Sequence, residues 1–474
     1  MNEATDQATV RELAGRGDLS FLDLDALQEW VVAQRWFGAK GRAVTGLDVL
    51  QGVPLRDGEP LLVIALVAAR YPAGTHDLYQ LPLGIRHADE GWDRGVITEV
   101  GNWTVYDGLT DPVHARELLE RMRSSSVARA GGSTLTFRLA DNADLGGSAD
   151  VRPIGVEQSN SSMVFGDALV LKSFRRLEPG VNPELELLRF LDRHGFANIA
   201  PLAGWYEYEG RLVDATLGIL QEYLKDARDG WSLAVEPDGE DPERFIERLD
   251  DLGGVTGRMH SVLGSDASDP AFAPEEPTDE ALALITATVD EEIERIFKSL
   301  PDDDEGPVAA IAGRSQDVRE RLGQLSRIGV GGRVIRTHGD YHLGQVMLSR
   351  RGWIVLDFEG EPARTLPERR QKRSPLRDVA GMLRSFSYVA AAGEILGTRE
   401  MPEDWESRAR AAFLEGYFRE ADPALLPPGQ ESTEKLLSVF ELEKAVYELN
   451  YEINNRPDWV GIPVASIMRL LEPA

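Results

Sequence analysis

Histidine is scarce in this chain, with seven in 474 residues, yet two of them stand close together in Thr337-His338-Gly339-Asp340-Tyr341-His342-Leu343-Gly344-Gln345. A short apolar run, Val334-Ile335, leads into this polar turn and another, Val346-Met347-Leu348, leaves it. A second apolar run, Trp353-Ile354-Val355-Leu356, then delivers Asp357-Phe358-Glu359-Gly360-Glu361. Two successive strands that deposit polar clusters at their ends suit phosphoryl transfer. That chemistry needs a carboxylate to orient an acceptor hydroxyl and take its proton, and hard oxygen ligands for the magnesium that accompanies a triphosphate. Asp340 fits the first need, and Gln345 and Asp357 fit the second, with His338 bracing the loop. The rival chemistry is a metal-dependent hydrolase with His338, Asp340, His342 and Asp357 as ligands. Gly339 and Gly344 favour a loop here over the helix on which a His-x-x-x-His metal site is usually built.

The surroundings limit the partners. Eighty acidic against 51 basic residues give a formal charge of -29, which repels phosphate backbones and anionic headgroups, so neither nucleic acid nor a membrane is expected as a partner. The chain has no cysteine, so thiol nucleophiles, thiolate zinc sites and disulfides are ruled out and a reducing cytoplasm is the expected location. The first twenty residues have no apolar core of a signal peptide, and the longest apolar stretch, 61–69, is less than half the roughly 20 residues of a membrane span.

Periodicity outlines the elements that must position these side chains. A loose helical pattern through Leu22, Leu24, Leu27, Trp30 and Val31 precedes strand-like runs at 44–53, 61–69 and 79–83. A helix is expected over 114–125. Strands follow around 154–157, 162–165, 168–174 and 217–223, with a helix over 183–194. Beyond 224 the pattern turns helical, interrupted by acidic, Pro-rich stretches.

The run His338 to Gln345, followed by Leu356-Asp357-Phe358-Glu359-Gly360-Glu361-Pro362, resembles the catalytic loop and metal-binding segment of the aminoglycoside-phosphotransferase-like, protein-kinase-related fold. In detail it resembles the bacterial maltokinase branch, where Gln commonly replaces the Asn of the wider kinase pattern. Gln34-Arg35-Trp36-Phe37 resembles that branch's N-terminal cap, and segments 374–386, 443–452 and 455–459 resemble its C-terminal part. The resemblance implies an α+β, bilobal kinase-like fold: a cap over 1–90, an intermediate region and β-rich N-lobe over 91–224, and a helical C-lobe over 225–474. ATP and Mg²⁺ are the implied cofactors.

The same resemblance implies roles for further residues. Lys172 would hold the α/β-phosphates, paired with an acidic residue on the next helix. Glu186 is preferred to Glu184, which follows Pro183 in the first turn, where the helix dipole already explains an acidic residue. No Gly-x-Gly-x-x-Gly loop is present, and Gln158-Ser159-Asn160-Ser161 stands in its place as the phosphate loop. Gln221-Glu222-Tyr223 would form the hinge against adenine, and Glu359 a further metal ligand.

The acceptor is expected beside Asp340 and His342. On the helix from Glu441, Tyr447 and Tyr451 share one face, as do Glu448 and Glu452, and Trp459 follows. Aromatic faces ringed by carboxylates suit a sugar. Glucosamine, giving glucosamine 6-phosphate, is slightly favoured, because an acidic pocket suits a protonated amine. Maltose, giving maltose 1-phosphate, an aminoglycoside, or a pseudokinase-like protein that only binds nucleotide or sugar are the alternatives. The sequence carries no reading of oligomeric state.

Overall fold

The computed structural model describes residues 10–39, 41–141, 143, 145–146, 150–154, 160–300, 306–326, 331–362 and 364–472. The chain divides into two compact units, Met1–Arg189 with Ala200–Lys225, and Phe190–Ile199 with Asp226–Ala474. Among the described residues no helix is long and apolar enough to cross a membrane.

The first unit holds two antiparallel sheets. One runs β1 (Gly46–Arg56), β2 (Leu61–Arg70), β3 (His76–His87), β5 (Trp103–Asp107), β4 (Val96–Val100), preceded by α1 (Leu24–Ala33). The apolar run of β2 is explained by burial on both faces. Leu61, Val63, Ala65, Val67 and Ala69 enter a core with Val31, Phe37 and Tyr79, whereas Leu62, Ile64 and Leu66 enter a second core. That second core is shared with Leu118, Leu119 and Met122 of α2 (Pro112–Arg123) and with Phe137 and Tyr206 of the other sheet. The cap sheet therefore continues past the expected limit at 90, because β4 and β5 complete it.

The second sheet contains β6 (Val127–Ala130), β7 (Ser133–Leu139), β8 (Val151–Pro153), β9 (Asn160–Phe165) and β10 (Leu169–Phe174). With β12 (Leu202–Glu209) and β13 (Asp214–Glu222) the order is β6-β7-β12-β13-β10-β9-β8. A short strand, β11 (Arg176–Leu177), leaves this sheet to pair with β3 of the cap. Gln80 of β3 cements the junction, its amide donating to Ser173 Oγ at 3.1 Å and to the carbonyls of Phe174 at 2.9 Å and Leu217 at 2.8 Å. Buried Arg175 adds an ion pair to Asp107. The helix α3 (Pro183–Arg193) follows.

The second unit is mostly helical. Its small sheet, β14 (Arg228–Asp229), β15 (Val346–Ser349) and β16 (Gly352–Val355), is followed in space by α5 (Pro242–Leu263) and the shorter α4 (Gly230–Val235). The remaining helices are α6 (Asp279–Ser299), α7 (Ser315–Leu325), α8 (Leu366–Arg369), α9 (Leu376–Leu396), α10 (Trp405–Glu420), α11 (Gln430–Asn455) and α12 (Gly461–Leu471). Helices α5 and α10 cross at backbone contact: a Cβ on Gly253 would stand 2.0 Å from the carbonyl oxygen of Phe413, and one on Gly416 2.0 Å from that of Asp250. That approach fixes α5, which carries Thr256 to Tyr341 and His260 to Asp378, beside the loop that bears Asp340. A separate core unites Val289, Ile293, Val318, Leu442, Val446 and Ile467 of α6, α7, α11 and α12.

Candidate active site

Asp340 sits on a loop held from three directions. The buried carboxylate of Asp378, on α9, accepts the backbone N–H of His338 at 2.8 Å and of Gly339 at 3.0 Å, and meets His260 Nε2 at 3.1 Å. Burial opposes ionisation of Asp378, yet the hydrogen bond and charge of His260, with those backbone donors, hold its carboxyl below the usual carboxylate range. Tyr341 is buried beneath the loop with its hydroxyl 2.8 Å from Thr256 Oγ1. His338 braces the loop as expected: Nδ1 accepts the Asp340 N–H at 3.3 Å, which leaves the proton on Nε2 for the Leu356 carbonyl, 2.8 Å away. Gly339, at φ 86°, supplies the left-handed turn that this arrangement requires.

The expected metal ligands Gln345 and Asp357 come together at the ends of the β15–β16 hairpin. Leu356 N–H donates to the Gln345 carbonyl at 2.9 Å, and the Gln345 amide lies 3.2 Å from Asp357 Oδ2. Turning that amide over presents oxygen in place of nitrogen, so both side chains can offer the oxygen donors that Mg²⁺ prefers. The residues present therefore fit a hard divalent cation. Asp357 has φ 59°, a conformation uncommon outside glycine and concentrated at functional sites. Glu359 is half-buried two residues on, its carbonyl accepting Arg369 Nη1 at 3.1 Å.

In the first unit, Lys172 Nζ lies 2.7 Å from Glu184 Oε2, with the Glu184 side chain 3% exposed. This corrects the preference for Glu186. The first-turn position does not merely complement the helix dipole; it turns Glu184 onto β10, while Glu186 stands half-buried one position beyond Leu185. Asn182 orients the turn by accepting the Glu184 N–H at 2.8 Å. Of the expected phosphate loop, Gln158 and Ser159 lie outside the described residues. Asn160 and Ser161 are strand residues, not turn residues: β9 pairs Asn160 with Phe174 and Ser161 with Ser173, and Ser161 Oγ accepts Arg175 Nε at 2.8 Å. In the expected hinge, two backbone N–H groups are taken up by neighbouring carbonyls. Gln221 is buried within the sheet, and the N–H groups of Glu222 and Tyr223 donate to Pro201 at 3.0 Å and Ala168 at 2.8 Å, so these donors are not offered to a base.

Helix α11 lies beside the catalytic loop. The Tyr447 hydroxyl is pushed up from its ordinary value by burial, then by the charge of Glu361 and, after the opposing effect of Lys444, by that of Asp340. His342 Nε2 is 3.9 Å from Asp340 Oδ2. Tyr447 and Tyr451 are 50% and 45% exposed, so this face of the helix is open and not core. The carboxylates differ from expectation. Glu452 is buried, taking Tyr388 Oη and Arg456 Nε, both at 2.8 Å, which removes it from direct sugar contact. Glu448 Oε2 takes two bonds from buried Arg384, at 2.9 and 2.7 Å. Trp459 stacks on Tyr388 with centroids 5.8 Å apart, lies near Trp231 and carries Arg456 over its face at 5.2 Å. Tyr388 and Trp231 escaped the sequence reading, and Arg384 and Arg456 stood in it only within segments that resemble the family, with no role assigned. Their signal lies in partners 64 residues or more away, save Arg456, whose Glu452 one turn back was the available hint.

The chain resembles known proteins in sequence and in fold. Residues 150–424 match the phosphotransferase enzyme family, and residues 30–111 match the maltokinase N-terminal cap domain. A glucosamine kinase of Streptacidiphilus jiangxiensis is 28% identical over 336 residues, covering 68% of this chain and 73% of the relative. One of Mycolicibacterium smegmatis is 29% identical over 335 residues, covering 68% and 79%. A solved glucosamine kinase in complex with glucosamine, ADP and inorganic phosphate shares the fold at TM-score 0.67 and 22% identity, over 94% of this chain and 99% of that one. The chain belongs to the phosphotransferase enzyme family, as a sugar kinase with a maltokinase-type N-terminal cap.

Proposed function

We propose that this protein is an ATP- and Mg²⁺-dependent kinase that phosphorylates glucosamine on its 6-hydroxyl. The observation that carries the reading is the placement of Asp340 on a braced loop, within electrostatic reach of the open tyrosine face of α11. Asp340 orients the sugar hydroxyl and accepts its proton as the oxygen attacks the γ-phosphorus; the bond to the β,γ-bridging oxygen breaks and ADP leaves. Lys172, fixed by Glu184, holds the α/β-phosphates. Gln345 and Asp357, with Glu359, would hold Mg²⁺, which neutralises charge on the phosphates when bound. Tyr447, Tyr451 and Trp459 provide aromatic faces for the sugar, with His342 at the reacting hydroxyl. Glu448 and Glu452 act through Arg384 and Arg456, so the choice of glucosamine draws its support from the glucosamine kinases that the chain resembles.

The maltokinase-type cap supports a second acceptor, maltose. Coupled ADP release over glucosamine, maltose, glucose and an aminoglycoside, with the product read by NMR, decides between them. Turnover of glucosamine to a 6-phosphate is expected. Maltose 1-phosphate as the main product would replace this reading with the second, and no ADP above background with any sugar would leave a binding protein.

A further inference from the structure

A cavity in the second unit borders the loop that carries Asp340, lined by Thr337, Gly339 and Tyr341 but not by Asp340, Gln345 or Asp357. It has about 30 Å³ of space, where one water needs roughly 10–15 Å³ on the same measure. Arg364, Arg369, Arg373, Arg377 and Lys444 line it, a concentration of cations that stands out in a chain of charge -29.

The carboxylates along the wall are already engaged. Glu361 takes Lys444 Nζ at 2.9 Å and Arg364, Glu368 caps Thr365 through its N–H at 2.8 Å and hydroxyl at 2.7 Å, and Asp378 holds the catalytic loop. Arg377 pairs with Glu443. Arg373 differs from these: its contacts are two long bonds to neutral acceptors, the Glu368 carbonyl at 3.5 Å and Gln371 Oε1 at 3.3 Å. Among the described residues no carboxylate pairs with it. Burial first, and then the guanidinium groups of Arg377 and Arg364, hold Arg373 down at about 10 against the weaker attraction of Glu443 and Glu361. Crowded, half-buried guanidinium groups are stabilised by an anion that can take several charge-assisted bonds at once.

We propose that this cavity binds a small tetrahedral dianion of the phosphate class, centred on Arg373. The bound ion would join the segment carrying Arg364 to Arg377 to the loop residues Thr337, Gly339 and Tyr341.

Calorimetric titration of the full chain with inorganic phosphate, with AMP-PNP and Mg²⁺ saturating the nucleotide site, tests this. One equivalent of phosphate should bind, and Arg373→Gln should weaken it about tenfold, as expected for a lost charge-assisted bond, with Arg373→Lys recovering part of the loss. A parallel titration with glucose 6-phosphate distinguishes the sources: tighter binding of the ester points to a phosphomonoester, weaker binding to the free ion. Absence of saturable binding, its disappearance when nucleotide is present, or undiminished binding by a folded Arg373→Gln protein would overturn the proposal. Should that variant not fold, wild-type crystals soaked in selenate give the answer directly. An anomalous peak in the cavity supports the site, and its absence there at full occupancy of other selenate sites rejects it.

Discussion

Asp378 holds His338 in place through the backbone: its carboxylate accepts the His338 N–H at 2.8 Å, while Oδ1 takes the next N–H, that of Gly339, at 3.0 Å. A buried anion on α9 thus sets the path of the chain immediately before Asp340, and its own charge is sustained by His260 from α5. Three elements distant in sequence converge on two peptide bonds.

Removing this anchor should cost stability as well as activity. Asp378→Ala leaves one buried and one half-buried N–H group and His260 without their acceptor, so unfolding in urea should show a loss of about 3–5 kcal/mol. Asp378→Asn keeps an acceptor oxygen and should lose less. In any fraction that folds, kcat should fall more than the KM for either substrate rises, since the loop positions Asp340 and does not hold the substrates.

The ion pair in the first unit makes a separable claim about two neighbouring glutamates. Glu184→Gln should raise the KM for ATP about tenfold, because Lys172 loses the charge that fixes it. Glu186→Gln should leave that KM within about twofold of wild type. Steady-state kinetics on the two variants, side by side, check the assignment, and the opposite ranking would return the role to Glu186.

A pH effect should come from the cap region. Burial holds the His114 imidazole down at about 4, against the attraction of Asp111, with its ring 3.0 Å from Tyr106 Oη. Because the folded value lies below the unfolded value of roughly 6.5, the unfolded chain binds the extra proton between these limits. Stability attributable to neutral His114 is therefore complete above about pH 6.5 and lost as pH falls towards 4, by about 3 kcal/mol. Denaturant unfolding at pH 7 and pH 4.5 should show a smaller pH-dependent loss in His114→Gln than in wild type.

The aromatic group at the end of α11 should act on the sugar alone. Trp459→Ala removes the ring that stacks on Tyr388 and carries Arg456, and it should raise the sugar KM about tenfold while the ATP KM holds. Equal effects on both substrates would assign Trp459 to packing.

The candidate catalytic residues could be picked out because their pattern is local. Asp340, Gln345 and Asp357 stand at the ends of short apolar runs, and two strands with polar termini announce a site before any fold is known. The helical character beyond 224 was readable for the same reason. Register and partners were not. Asn160 and Ser161 have the composition of a turn, and their pairing with Phe174 and Ser173 depends on a strand that follows them. The acidic stripe of α11 was visible, but not the Arg384 and Tyr388 that engage it from another helix. Likewise Glu184 obeys two rules at once, dipole complementarity and a buried ion pair, and only the structure shows that the second operates. The cap's true extent depended on β4 and β5, which return to a sheet begun 50 residues earlier.

The most direct test of the account is the turnover of glucosamine by wild-type protein and by Asp340→Asn, with ATP and Mg²⁺ and the product followed by ³¹P NMR. Wild type should form a 6-phosphate ester, and the variant should lose a thousandfold or so in kcat, about 4 kcal/mol of transition-state stabilisation, with the KM for ATP nearly unchanged. A variant that retains wild-type kcat, or a wild-type protein that forms no phosphate ester of glucosamine, would contradict it.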